Sequence, residues 1–474
     1  MRPVRKPRLR PTLLPALVYT ALTTAVVSSL GMLLVPTLSQ EMSVSVSAAQ
    51  WMLTVNLLVG AVATPIMGRL SDGPHKKRLL LGSLAIILAG SVLAACAPNF
   101  AVFLVGRALQ GLSYGIVPMT IALARRYLPE EQIRPGLSSL SVTASTGLGI
   151  GYPLTGILAG EAGFRVAFAF AAVFLVSAVI VAWRVIPDGP DERAPRTRFD
   201  APGAALLGLG LTALLIAISE GPNWEWTSAK TLGFALAAVV LLGAWVLVEL
   251  RTDTPLIDLR VFRHRDVVLA NGTAIGLGAA MYIGLSVSSL IAQVPATTGY
   301  GIALPVFWAG FVMLPLSIGS LGANRAVRAV SHRIQLTTLL PLGAGGMTAS
   351  AVLLWLVHDQ LWEILVGMLL FGLGIGTTYA AMPALIARRV ADTELGSAVS
   401  FNQVLRTVGG AFGSAASGAV LAAHLGSDLH PSDTGITLAL ALGVCGCAIV
   451  FAALSANYVH SRRAHTAPEL SRIP

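Results

Sequence analysis

Residues 104–115 read LVGRALQGLSYG, and residues 365–376 read LVGMLLFGLGIG. Seven of these twelve positions are identical. Each stretch runs on to a pair of arginines, Arg125 and Arg126 in the first and Arg388 and Arg389 in the second. Each then passes through a short polar loop into another apolar segment. That segment carries Gly147, Gly151 and Gly156 in one copy and Gly409, Gly413 and Gly418 in the other, all at one offset. A self-similarity of this kind marks a duplicated structural unit, and its period reports the architecture.

The unit is made of membrane helices. A hydrocarbon core of ~30 Å takes about 20 apolar residues as helix. No charge falls between Arg10 and Glu41, between Glu41 and Arg69, or within 79–106, 135–160, 166–183, 201–219 and 231–248. The uncharged run 267–324 is long enough for two passes, with a break near Thr297, Thr298, Gly299 and Tyr300. Only 11% of the 474 residues are charged and 55% are hydrophobic, with a mean hydropathy of +0.76. Soluble domains carry roughly 25% charge, because water must solvate their surface. Here the surface has to face lipid. The segments are twice the length of a barrel strand and lack apolar–polar alternation, so they are helices. Forty-eight glycines fit close helix packing in lipid, and Pro65, Pro118, Pro153 and Pro383 fall inside the apolar runs.

The windows predict about fourteen spans, near 13–36, 48–70, 79–97, 101–125, 137–159, 164–186, 201–219, 229–250, 268–292, 304–323, 336–357, 361–386, 399–423 and 435–458. The repeat equates span 4 with span 12 and span 5 with span 13, a shift of eight. A duplicated six-helix unit shifts by six, so two extra spans lie between the copies. The predicted division is a six-helix bundle in 1–186, a linker with two extra transmembrane helices in 187–265, and a six-helix bundle with a short tail in 266–474. Parallel halves about a central cavity are a common transporter design.

The net charge of +10 does not point to nucleic acid, because of where the charge lies. With fourteen spans, one face receives 28 of the 32 Lys and Arg. These are Arg2, Arg5, Lys6, Arg8 and Arg10, then Arg69, Lys76, Lys77 and Arg78, and then short-loop and tail arginines through Arg472. The opposite face has Arg165 and Lys230, while Arg107 and Arg406 fall within spans. Such asymmetry predicts both termini in the cytoplasm and residence in the plasma membrane. The apolar run after Arg10 reads as the first span, being too long for a signal-peptide core. Cys96, Cys445 and Cys447 make no disulfide framework. No G-x-x-x-x-G-K-[ST] loop, metal-ligand cluster or catalytic triad pattern occurs, so neither ATP, a metal, a cofactor nor an enzymatic step is expected.

Several side chains are hard to explain by packing. Arg107 and Gln110 stand where the second copy has Met368 and Phe371. The scaffold tolerates apolar residues there, and a charge at mid-membrane costs several kcal/mol and marks an ion or substrate path. Gln110, three residues on, shares the face of Arg107. Arg406, with Asn402 one turn earlier, either snorkels to the near interface or lines the cavity. Asn56 either ties helices together or faces the same cavity. Asp72 is a lone acid among Arg69, Lys76, Lys77 and Arg78, where it opposes the topology signal. Glu161 and Glu220 near outer helix ends are the possible protonatable acids, since no Asp or Glu occupies the middle of a span.

Taken in order, these motifs resemble the major facilitator superfamily. The loop GRLSDGPHKKR at 68–78 is similar to its signature loop, and Arg107, Gln110 and Gly111 fall at the spacing of its next motif. Gly147, Gly151, Pro153 and Gly156 resemble its antiporter motif. The span count, PLIDLRVFRHRD at 255–266 and FNQVLRTVGGAFGSA at 401–415 resemble the fourteen-helix drug:proton antiporter branch. Arginine outnumbers lysine 28 to 4, the coding bias of GC-rich bacterial genomes. The resemblance implies proton coupling at Arg107 and Gln110, and a cytoplasmic gate at Gly68, Asp72, Lys76, Lys77 and Arg78 with Asp72 pairing across the halves. It also implies a rigid sealing face at Gly147, Gly151, Pro153 and Gly156, and cavity roles for Asn56, Asn402 and Arg406. Two departures stand out. Val27 occupies the place of the family's first-span aspartate, and Tyr152 separates Gly151 from Pro153. The expected function is export of small lipophilic or cationic drug-like compounds in exchange for protons, by alternating access. The Val27 departure keeps open a proton-independent facilitator or a dedicated exporter of one metabolite. A non-transporting sensor or scaffold is the reading from another class, and an intramembrane charge speaks against it.

The threading is tested by impermeant thiol labelling of single cysteines placed at Lys77 and Arg389, with Cys96, Cys445 and Cys447 replaced by serine. Both sites should react from the cytoplasmic side alone, and labelling from opposite sides would break the even count.

Overall fold

A computed structural model of the protein describes residues 12–31, 33–44, 46–187, 199–260, 264–330, 336–390, 395–424 and 430–470. The basic-face residues Arg2, Arg5, Lys6, Arg8, Arg10, Arg193, Arg196, Arg198, Arg263, Arg333 and Arg472 lie outside the described residues, as does most of the 187–200 linker. The N-terminal helices are α1 (Leu13–Ser29), α2 (Val35–Glu41), α3 (Val46–Asp72), α4 (Lys76–Ala95), α5 (Phe100–Gln110), α6 (Ile116–Tyr127), α7 (Glu130–Ala162) and α8 (Phe164–Val185). Next come α9 (Ala201–Trp224) and α10 (Ala229–Arg251), packed on each other. The C-terminal helices are α11 (Arg265–Gln293), α12 (Val306–Phe311), α13 (Leu314–Val330), α14 (Leu336–Leu356), α15 (Leu361–Ala387), α16 (Leu395–Ala423) and α17 (Asp433–Leu470).

Among the described residues, twelve helices are long and apolar enough to cross a membrane, counting α5 with α6 as one and α12 with α13 as one. The protein is therefore a multi-pass membrane protein. Two predicted spans differ from those twelve. The first is the 17-residue apolar helix α1, shorter than the predicted 13–36 because the chain turns at Gly31, whose φ of +99° suits glycine. The fifth is α7, which at 33 residues overruns the predicted 137–159 at both ends and is diluted by serine, threonine and glycine. The predicted span 304–323 is split into α12 and α13. Span 4 is interrupted by a 3₁₀ turn at Gly111–Gly115, immediately after Gln110. Pro118 has no N–H for the carbonyl of Tyr114, and glycines at both ends of the turn weaken the helix further.

Helix order is fixed by close backbone approaches. Along α7, Gly147 and Gly151 abut Ala25, Val26 and Ser29 of α1. Along α16, Gly409 and Gly413 abut Ile275 and Ala279 of α11. The two copies of the glycine stripe thus receive partners spaced four residues apart, one helical turn, in each half. The third position departs from this. Gly156 is buried, whereas Gly418 is exposed, and a methyl group added there would meet no neighbour within 4 Å. The N-terminal and C-terminal helices meet where α3 crosses α16 and where α7 lies against α12, α13 and α15, while α9 rests on α3 and α16.

Gly409→Val drives a side chain into the α11 backbone and is expected to destabilise by about 1–3 kcal/mol. Gly418→Val should change stability by no more than about 0.5 kcal/mol. Thermal unfolding midpoints of the two variants in detergent check the contrast.

Candidate functional site

The first element of the site is a buried polar chain around Arg107. Gly90 and Gly106 allow α4 and α5 to touch, since a β-carbon on Gly106 would lie 2.8 Å from both the Gly90 oxygen and the Ala94 nitrogen. That approach brings Ser91 of α4 to Gln110 of α5, whose Nε2 donates to Ser91 Oγ at 2.8 Å. The amide is thereby oriented so that its Oε1 accepts from Arg107 Nη1 at 2.6 Å. Arg107 Nε donates to the Met52 carbonyl of α3 at 3.2 Å, and Asn56 Nδ2 returns a bond to the Arg107 carbonyl at 3.1 Å. Phe168 of α8 covers the guanidinium, 5.7 Å from its ring centroid. Arg107 is 1% exposed. The sequence pairing of Arg107 with Gln110 holds, and Asn56 joins them through backbone. Val27 lies fully buried in the apolar core.

The second element is a cavity lined by both sets of helices. Ser28, Ser113 and Tyr114 face it from the N-terminal side, and Tyr282, Tyr379 and Arg406 from the C-terminal side. Its volume is about 50 Å³, room for one or two waters. Tyr114 and Tyr282 line it from opposite sides. Gly60 leaves space for the Tyr114 ring and Gly410 for the Tyr282 ring, so each tyrosine lies flat on a glycine of a neighbouring helix. Arg406 does not snorkel. Its guanidinium stacks on Tyr379 at 3.7 Å from the ring centroid, and Nη2 donates to Asn402 Oδ1 at 3.4 Å. Asn402 is held in turn by donating to the Ala270 carbonyl and to Asn271 Oδ1.

The third element closes the end that carries the basic loops. The carboxylate of Asp72 accepts the backbone N–H groups of Gly396 at 2.8 Å and Ser397 at 3.0 Å. These amides belong to the first turn of α16, where helix N–H groups lack intrahelical partners and the dipole favours an anion. Gly68 and Gly396 sit at the crossing and let α3 approach α16. Lys76 Nζ donates to the carbonyls of Asp72 and Gly73, finishing α3, and Lys77 Nζ donates to the Trp183 carbonyl of α8. Arg78 is exposed. Lys76 and Lys77 thus hold backbone of the N-terminal helices, and Asp72 makes a crossing to α16. A second crossing was not foreseen from sequence. Arg125 donates to the carbonyls of Ala387 and Val390 at the C-terminal end of α15.

The glycine-rich face of α7 has two sides. Gly147 and Gly151 meet α1, while Thr146 and Gly149 meet Ser317 of α13, whose Oγ donates to the Thr146 carbonyl at 2.7 Å. Pro153 lies against Gly310 of α12. The acids proposed for protonation are not brought to the cavity. Glu161 is exposed, and Glu220 is buried on α9, accepting from Asn223. Sequence reasoning also passed over Glu249 of α10, which is buried and accepts from Trp245 Nε1 at 2.8 Å. Its place near a charged helix end hid it, although Trp245 one turn earlier was a readable signal.

Helices of membrane length around a cavity shared by two sets of helices define a multi-pass membrane protein of the solute-transporting kind. The chain belongs to the Major Facilitator Superfamily, whose family model matches residues 16–414. It is 27% identical over 433 residues to the multidrug resistance protein Stp of Mycobacterium tuberculosis, covering 87% of this chain and 78% of that one. It is 28% identical over 428 residues to the lincomycin resistance protein of Streptomyces lincolnensis, covering 89% of this chain and 86% of that one. The human organic anion transporter MFSD10 shares the fold, with a TM-score of 0.64 at 14% identity, over 93% of this chain and 100% of that one.

Replacing Asp72 with alanine should open the basic-loop end, because two first-turn amides of α16 lose their acceptor. Spin labels at exposed Gln132 and Arg388 should report a longer and broader distance distribution in Asp72→Ala than in the parent. An unchanged distribution would leave the closure to other contacts.

Proposed function

We propose that the protein exports small, lipophilic, drug-like compounds across the plasma membrane in exchange for protons, by alternating access between two six-helix halves. In this reading the chain makes fourteen passes, α1 and α7 included, with α9 and α10 as the added pair and both termini in the cytoplasm. The halves comprise residues 1–186 and 266–474. The basic-loop end is then the cytoplasmic side, a placement that the distribution of Lys and Arg supports. The proton gradient supplies the energy, and neither ATP nor a cofactor takes part.

One observation carries this reading: the cavity is walled by both halves, between the Asp72 and Arg125 crossings at one end and the α7 seam with α12 and α13 towards the other. A path blocked in this way moves solute when the two closures open in turn. The roles that the relatives are named for, multidrug and lincomycin resistance, supply the direction and the drug-like class. Arg107 is the coupling residue in this scheme. Its neutral partners leave its charge uncompensated, so its field acts on any proton-carrying group along the path. The observation favouring a proton-independent facilitator is the absence of a carboxylate among the described residues lining the cavity, together with Val27 in the core.

Proteoliposomes given an inward-acid pH gradient and the neutral dye N-phenyl-1-naphthylamine separate the two. Gradient-driven dye movement that falls roughly tenfold or more, about 1.4 kcal/mol, in Arg107→Met supports proton exchange. Saturable movement indifferent to the gradient selects the facilitator.

A further inference from the structure

The two intramembrane arginines differ in how completely they are satisfied. Arg107 spends Nε and Nη1 on a carbonyl and an amide oxygen at ordinary hydrogen-bond lengths. Arg406 is buried to a similar degree, 8% exposed, yet among the described residues its one oxygen partner is the long contact to Asn402 at 3.4 Å, and its Nε has none. A guanidinium presents five N–H donors in a fixed fork. Leaving one of them dry costs about 1–3 kcal/mol, more for a charged group. Arg406 lines the central cavity, and Arg107 does not. From the opposite wall Ser113 also lines the cavity, and its buried Oγ is likewise without a partner. Two residues that line one small space, one from each set of helices, thus each hold a buried polar atom without a partner among the described residues.

The charge of that space is one-sided. Among the described residues lining it, Arg406 is charged and no carboxylate is present. In a medium of low dielectric an unpaired cation repels a cationic guest and attracts an anionic one far more strongly than in water. The remaining wall is flat and adaptable: the rings of Tyr114, Tyr282 and Tyr379, and the thioether of Met281, to which the Tyr379 hydroxyl donates at 3.3 Å. Aromatic faces and methionine suit an aromatic body. The volume of about 50 Å³ is well below the ~300–1,000 Å³ of sites for drug-sized ligands, so the guest enters when the halves part.

We propose that the central cavity is an organic-anion site, in which Arg406 receives the carboxylate of an aromatic cargo through Nε and its neighbouring Nη, and Ser113 completes the contact from the other half. The proposal rests on the reading of the cavity as the cargo path, and it changes the expected cargo from a lipophilic or cationic compound to an anion.

Fluorescein, an aromatic carboxylate, and rhodamine 123, a cation on a similar xanthene frame, are the probes. Their binding to the purified protein is read by fluorescence anisotropy without any gradient. The wild type should bind fluorescein on the order of tenfold or more tightly than rhodamine 123, the scale of one charge-assisted hydrogen bond. Gln403 lines the cavity one turn before Arg406, so the near-isosteric Gln403→Glu supplies an internal carboxylate for Arg406. It should weaken fluorescein by about the same factor and strengthen rhodamine 123. Arg406→Gln should abolish the preference while Arg406→Lys keeps part of it. Fluorescein failing to bind, rhodamine 123 binding as tightly in the wild type, or fluorescein affinity unchanged in Gln403→Glu would each overturn the site. An Arg406→Gln that does not fold leaves the decision to the wild-type preference and Gln403→Glu. Export is judged separately in proteoliposomes: fluorescein bound at Arg406 but not moved by a gradient sinks the export reading alone, and rhodamine 123 pumped while fluorescein is ignored sinks the anion site alone.

Discussion

A guanidinium keeps its charge in surroundings where a lysine or a carboxylate would give it up. Placing Arg107 among membrane-length helices therefore commits its neighbours to supplying dipoles, because lipid supplies none. Four helices converge to do so. α3 contributes the Met52 carbonyl and Asn56, α4 contributes Ser91, α5 carries Gln110, and α8 brings Phe168. None of these partners carries an opposite charge, so the group is solvated without being neutralised. This is the difference between a structural ion pair and a charge kept available to act on something else.

Such convergence needs backbones close together, and small residues provide it at each turn. Gly90 and Gly106 let α4 meet α5, and Gly60 and Gly111 let α3 meet the 3₁₀ turn that follows Gln110. Gly31, at positive φ, turns the chain beside Met52 and the Arg107 guanidinium. The same device recurs in the second half without the charge. Gly372 and Gly376 seat α15 on α13, and Gly409 and Gly413 seat α16 on α11. On α15 stand Met368 and Phe371, both buried and apolar, at the places of Arg107 and Gln110. The scaffold thus uses one packing solution twice, with a charge at the Arg107 position in one copy and Met368 in the other.

How much of this was readable in advance depends on the range of each interaction. Membrane helices announce themselves by length and composition, and the Arg107–Gln110 pair by spacing along one helix, so both were legible. The repeat exposed the glycine stripe, although Gly418 shows that a matched glycine does not guarantee a matched contact. The break at Gly111–Gly115 was hidden because glycine and proline are tolerated inside membrane helices, so their presence does not say where a helix yields. Crossings between residues more than 250 positions apart, such as Arg125 with Ala387, leave no local pattern at all. Asp72 could be singled out as an acid among cations, yet its partners are backbone amides of Gly396 and Ser397, which no sequence pattern identifies. The three tyrosines of the cavity were invisible for the same reason: each sits on a different element, and only the fold places them together.

In the proposed alternating-access scheme, the end bearing the basic loops shows why a closure built on backbone suits reopening. Asp72 to two first-turn amides is a pair of charge-assisted hydrogen bonds, each contributing about 1.5–3 kcal/mol net. Arg125 on the last carbonyls of α15 is a second contact of the same kind, an ion meeting the complementary end of a helix. When such bonds part at a water-facing end, water takes over both the ion and the helix terminus, so opening strands no buried charge. A buried salt bridge in their place would cost several kcal/mol to separate, because each ion would lose its partner within low dielectric. In that scheme the helix-end ion contacts lie where the chain parts, and the dipole-solvated Arg107 lies where it does not. That division follows from where water can reach.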